Sequence, residues 1–218
     1  MGRKKLIICF LLSLYSIALS GQYKWQARDP IDLNFIDFGD NKLLLYNGLG
    51  VGITSLFSKG DHNNLDYKKQ FISLQYFREY QRSPLSQLIS LNYRRRWQIR
   101  NFLFIGTEVR GYHVRDTEVS TQGLGMSMTF EWHLIRQSCF RLIYDNGVGP
   151  NIFLKRFPFG GTKFNFTTNY GIRIAQLIGE RWWSIGIHNI HISNAEIKGR
   201  NRNPALDAIG ISIGLNLD

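Results

Sequence analysis

The sequence predicts an all-β fold, an antiparallel transmembrane β-barrel of the outer-membrane type with eight strands. Three observations carry this expectation. Apolar residues alternate with small or polar ones over segments of about ten residues or more, aromatic residues gather at segment ends, and the chain opens on an export signal. A soluble β-sandwich also alternates, with its apolar face buried and its polar face in water, so alternation alone does not decide. Strand length, aromatic placement and export together favour the barrel.

Residues 1 to 20 read as a secretory signal peptide cut after Ser20 or Gly21. Arg3, Lys4 and Lys5 precede an apolar run from Leu6 to Leu12, and Ala18 and Ser20 supply the small residues of a cleavage site. The alternative is an uncleaved anchor, but crossing a bilayer takes ~20 apolar residues and this run is shorter. Cys9 leaves with the signal peptide, so the exported chain keeps Cys139 alone and forms no internal disulfide. After residue 21 no stretch is continuously apolar for the length of a membrane helix. Residues 21 to 41 hold Asp, Asn, Gly and Pro30 without sustained periodicity and form a lead-in segment; residues 42 to 218 are expected to be the barrel.

Period two then recurs with one chemistry on each face. Leu45, Leu49, Val51, Ile53 and Phe57 alternate with Gly48, Gly50, Gly52 and Thr54. Leu103, Ile105 and Val109 oppose Glu108 and Arg110. Leu124, Met126, Met128, Phe130, Trp132 and Leu134 oppose Gly125, Ser127, Thr129, Glu131 and His133. Phe164, Phe166, Tyr170, Ile172 and Ile174 oppose Asn165, Thr167, Asn169 and Arg173. Candidate strands cover residues 42–58, 68–80, 85–98, 101–113, 119–135, 138–150, 162–178, 181–195 and 207–217. That is one too many for an even-stranded barrel. The segment expected to drop out is 85–98, which follows Pro84 and ends on Arg94, Arg95 and Arg96, a poor lipid-facing run.

Formal charge is +11 over the 218 residues; taking Arg3, Lys4 and Lys5 from the 27 basic residues leaves 24 against 16 acids, a net +8. Such an excess suits an anionic partner. Nucleic acid is not expected for an exported chain without a nucleic-acid motif, whereas phosphorylated glycolipid at a bacterial surface fits.

The chemistry concentrates in HNIHISNA, residues 188 to 195. Alternate side chains of a strand share a face, so His191 and Ser193 point the same way, and they fall on the parity of Trp183, Ile185 and Ile187, the apolar and hence outward one. In the last strand Asp207 belongs to the outward set of Ile209, Ile211, Ile213 and Leu215. Pairing the two strands across the loop 196–206 (EIKGRNRNPAL) brings Asp207 near His191 and Ser193. A serine, a histidine and a carboxylate on one face can perform acyl transfer: Ser193 attacks an ester, His191 takes its proton, and Asp207 orients the imidazolium. Asn194 or nearby backbone amides are candidates to hold the oxyanion. With the C-terminus periplasmic, these residues lie at the outer rim.

His191, Ser193, Asn194 and Ala195, followed by Asn203, Pro204 and an acid, resemble the His-x-Ser-Asn-Ala signature of the lipid A 3-O-deacylases (PagL-like). These are small outer-membrane esterases of the acyloxyacyl hydrolase family. The resemblance by motif covers residues 181 to 217 and the rest by architecture. It implies eight strands, a metal-free and cofactor-free esterase, and lipid A of lipopolysaccharide as substrate, with the 3-O-linked acyl chain as the one removed. Lys198, Arg200 and Arg202 in the loop are then candidate contacts for lipid A phosphates. The family's usual acid is glutamate where this chain has Asp207; Glu196, in the loop and on the other parity, is the fallback. A non-catalytic structural or binding barrel and an outer-membrane phospholipase are the alternatives.

Weaker signals point elsewhere. Gly210, Ser212 and Gly214 spell the Gly-x-Ser-x-Gly of a nucleophile elbow, but an elbow needs a sharp turn and a following helix, for which too little chain remains. His188 and His191 face opposite sides of a strand, which opposes shared metal ligation, and His62, His113 and His133 have no ligand spacing. Trp97, Trp132, Trp182 and Trp183 are expected as interface anchors.

Overall fold

The computed structural model describes residues 69–80, 86–116, 119–194 and 204–217. The signal peptide, the lead-in segment and the 42–58 strand candidate lie outside these residues. The strands are β1 (Gln70–Glu79), β2 (Gln87–Arg100), β3 (Leu103–Arg115), β4 (Thr121–Arg136), β5 (Phe140–Phe157), β6 (Thr162–Ile178), β7 (Arg181–Ser193) and β8 (Leu206–Asn216). Each pairs antiparallel with its neighbour in sequence, and β1 pairs with β8 from Phe71↔Asn216 to Glu79↔Ala208, closing an eight-stranded barrel. Closure leaves no strand edge unpaired, which a wall surrounded by hydrocarbon requires.

The period-two pattern becomes two surfaces. On the outside, Ile185, Ile187, Ile209, Ile211 and Ile213 are exposed, and Leu74, Leu91, Leu124 and Met126 continue the belt on β1, β2 and β4. So continuous an apolar surface marks a lipid-facing wall. The inside is filled in three layers. Near one rim Phe77, Leu88, Tyr112, Val114, Phe153, Ile190, Ile192 and Leu206 pack together. Near the other, Phe104, Ile143, Ala175 and Trp182 do so. Between them Arg94, Arg110 and Arg173 meet Glu108, Glu131 and Asp145 in a buried charge network: Arg94 Nε donates to Glu108 Oε2 at 2.7 Å and its Nη1 to Glu131 Oε1 at 2.6 Å. Burial of ions is costly unless each is paired, and the network supplies those pairs.

This layer corrects the expectation for 85–98, which is β2. The three consecutive arginines are not one face. Arg94 and Arg96 point inward, where Glu131 accepts from both, while Arg95 points outward and lies over the Trp97 ring, 5.8 Å from its centroid. Among the described residues the eight strands that close are the candidates from 68–80 to 207–217, with 85–98 among them. A second correction concerns the tryptophans. Trp97 and Trp183 are exposed on the outer wall, but Trp182 lies inside with Arg141 stacked on it at 4.4 Å, and Trp132 is buried against Phe102.

The two rims differ. Connections 101–102, 137–139 and 179–180 are tight, whereas 80–86, 116–120, 158–161 and 194–205 are longer and share the opposite rim. The end of β7 lies on the rim with the longer connections, the rim that barrels of this kind turn away from the periplasm.

Candidate active site

Strand β7 carries lipid-facing isoleucines up to Ile187, and then its outward side chains turn polar: Asn189, His191, Ser193. The inward residues between them, Ile190 and Ile192, are sealed into the apolar layer at this rim and hold the backbone behind the site. Exposure falls along the same face from 62 % at Ile187 to 1 % at Ser193.

The register of β7 with β8 pairs His191 directly with Asp207. Their side chains meet: His191 Nδ1 and Asp207 Oδ1 are 2.8 Å apart, with side-chain exposures of 17 % and 8 %. With Nδ1–H donating to the carboxylate, the lone pair of the neutral imidazole is on Nε2. His191 Nε2 and Ser193 Oγ are both buried, and neither is engaged in a hydrogen bond. On the other side of β7, Thr168 stands opposite His191 and Phe166 opposite Ser193. An imidazole oriented by a carboxylate, with its other nitrogen uncommitted and a hydroxyl two residues along the same face, has the parts of a base and nucleophile. In this structure the Ser193 hydroxyl is not hydrogen-bonded to the imidazole; catalytic bonds of this kind commonly tighten only around substrate.

Of the residues singled out in the sequence, the fold brings together His191, Ser193 and Asp207. Asn194 follows directly and is buried. Glu196, Lys198, Arg200 and Arg202 lie outside the described residues. Among the described residues, no group of three or more His, Cys, Asp or Glu side chains is placed to hold a metal ion.

Two features escaped the sequence. Tyr80, just beyond β1, donates its backbone N–H to the Asp207 carbonyl at 3.2 Å, and Asn189 Nδ2 donates to the Tyr80 hydroxyl at 3.3 Å. Asn189 was detectable as a polar residue on the parity of Ile185 and Ile187. The second feature is inside the barrel, where His188 Nε2 is 2.8 Å from Ser212 Oγ and His188 Nδ1 is 3.6 Å from Asp145 Oδ1. The glycines make room for this imidazole: a Cβ on Gly186 would lie 2.9 Å from His188 Nε2, and one on Gly171 would overlap the ring. Ser212 sits mid-strand in β8, opposite Gly186, and not on a strand-to-helix turn.

The family model for lipid A 3-O-deacylase (PagL) matches residues 74–216, from within β1 to the end of β8. The chain belongs to this deacylase family. Among solved structures, that of the outer membrane enzyme PagL aligns with a TM-score of 0.55 at 15 % identity, covering 67 % of this chain and 99 % of that one. Neisserial surface protein A (NspA) aligns with a TM-score of 0.52 at 10 % identity, covering 67 % and 93 %. No curated protein matches the sequence. At such identities the two structures speak to the fold alone, and one barrel shape serves both an enzyme and a surface protein. In this member of the lipid A 3-O-deacylase family, the parts of a base and nucleophile lie at the polar end of β7 and its partner on β8.

Proposed function

We propose that the protein is an outer-membrane serine esterase that removes an ester-linked acyl chain, the 3-O-linked one, from lipid A of lipopolysaccharide, after export with cleavage of its signal peptide. The observation that supports this best is the 2.8 Å bond between His191 and Asp207 on the outward face of the wall, beside Ser193. The pair stands on the face of the wall that carries the apolar belt, the side from which an acyl chain of the outer leaflet would approach.

In this reading, Ser193 Oγ attacks the acyl carbonyl carbon while its proton passes to His191 Nε2. Asp207 keeps the ring in the productive tautomer and stabilises the imidazolium. Asn194 and backbone amides at the end of β7 donate to the oxyanion. The tetrahedral intermediate collapses, the sugar oxygen leaves with the proton from His191, and water, deprotonated by the same ring, hydrolyses the acyl-serine to release the fatty acid. Lys198, Arg200 and Arg202 in the neighbouring loop serve the lipid phosphates. The acid role goes to Asp207 rather than Glu196, because Asp207 holds the imidazole bond.

Mass spectrometry of lipid A from cells with and without the protein tests the reading. The expected result is a loss of one acyl chain that disappears with His191→Ala. Identical lipid A profiles would overturn it, and turnover of glycerophospholipid in place of lipid A would move the substrate class.

A further inference from the structure

Asp207 is the second residue of β8, next to the long loop, so its carboxylate is carried by a strand end that has little ladder above it. Strand ends fray, and a triad carboxylate has to stay within hydrogen-bonding distance of one ring nitrogen. The brace comes from a residue that belongs to neither β7 nor β8. Tyr80 extends the β1–β8 ladder by one step, its N–H bonding the carbonyl of Asp207 itself. Its phenol then crosses the outside of β8 to accept from Asn189, which faces Ile209 and stands two residues before His191 on the same face of β7. One residue thus holds the main chain of the acid and the strand that bears the base. Asn189 also breaks the pattern of its strand: the outward positions below it on β7 are Ile187 and Ile185, and a polar group beside a lipid-facing belt is costly unless it is bonded.

We infer that Tyr80 and Asn189 form a latch across β8 that keeps the Asp207 carboxylate on His191, which makes them positioning residues of the reaction. The inference rests on the esterase reading above. It requires neither residue to touch substrate.

The test uses the full-length protein in detergent–lipid A mixed micelles, with kcat and KM measured separately. Tyr80→Phe keeps the ring and removes the hydroxyl; Asn189→Ala removes the donor. Loss of one hydrogen bond in the support of the acid should lower kcat about three- to tenfold in each variant while KM stays unchanged. The double variant should be no slower than either single one, because both changes remove the same bond. A merely structural pair would lower the unfolding temperature without this kcat-only, non-additive signature, so heat-modifiable gel mobility is followed in parallel. Wild-type kcat in either single variant, or effects that multiply in the double variant, overturns the latch. His191→Ala is run beside them: if it is inactive the reading beneath the latch stands, and if it is fully active that reading falls and takes the latch with it.

Discussion

The molecule holds a histidine, an aspartate and a serine together twice, once on each side of its wall. Inside, His188 lies between Ser212 and Asp145; outside, His191 joins Asp207 beside Ser193. In hydrogen-bond terms the inner set is the more complete, because its serine already bonds the imidazole. Its carboxylate, however, is claimed by cations: Arg173 donates to Asp145 through Nε, and Arg94 Nη1 lies 3.7 Å away. All three inner residues are buried between two apolar layers, where no ester can arrive. The outer carboxylate has its imidazole as side-chain partner, the outer serine has no bond to give up, and both stand on the face of the wall that carries the apolar belt. Proximity of three residue types is therefore a poor guide to reactivity; the two sets differ in the face of the wall they occupy and in the other obligations of the carboxylate.

That contrast can be broken most directly at the two serines. Ser193→Ala should abolish lipid A deacylation, by about a thousandfold or more, in isolated outer membranes that still contain the folded barrel. Labelling by a fluorophosphonate, mapped by peptide mass spectrometry, should fall on Ser193, and a label on Ser212 would reverse the assignment of the two sets. Next comes the acid. Asp207→Asn should cost about a thousandfold in kcat, whereas Glu196→Gln leaves the rate near wild type; the opposite outcome would transfer the acid role to the loop.

The inner set should answer to stability instead. Glu131 holds Arg94, Arg96 and Arg173 below the His188 site, so Glu131→Gln leaves buried guanidinium groups without that charge and should cost about 3–5 kcal/mol, read from urea unfolding of the barrel in detergent. The fraction that stays folded should deacylate normally. Smallest is Ser212→Ala, which removes one hydrogen bond worth about 1 kcal/mol and should leave lipid A turnover unchanged; a large loss of activity would mean that the inner set does more than fill the lumen.

Much of the fold was legible because a barrel wall writes itself into sequence with period two, as in the isoleucines of β8 against Ser212 and Asn216. The outward face of His191, Ser193 and Asp207 was legible for the same reason. The arginine run of β2 reads in sequence as one block, but alternation sends Arg94 and Arg96 to carboxylates on β3 and β4 that only the closed barrel brings within reach. The pairing of Asp145 with His188 was hidden likewise, since it joins β5 to β7 over Gly171 of the strand between them. Tyr80 was hidden by closure itself: it meets Asp207 because the first described strand returns to the last, a contact between positions far apart in the chain.

The sealed interior has a kinetic consequence. Among the described residues, apolar layers at both rims and paired charges between them fill the lumen, so a substrate of the proposed site would come and go sideways within one leaflet. Encounter is then two-dimensional: turnover should follow the mole fraction of substrate in the bilayer and the fluidity of its chains, and dilution of the same vesicles into more buffer should leave the rate per vesicle unchanged.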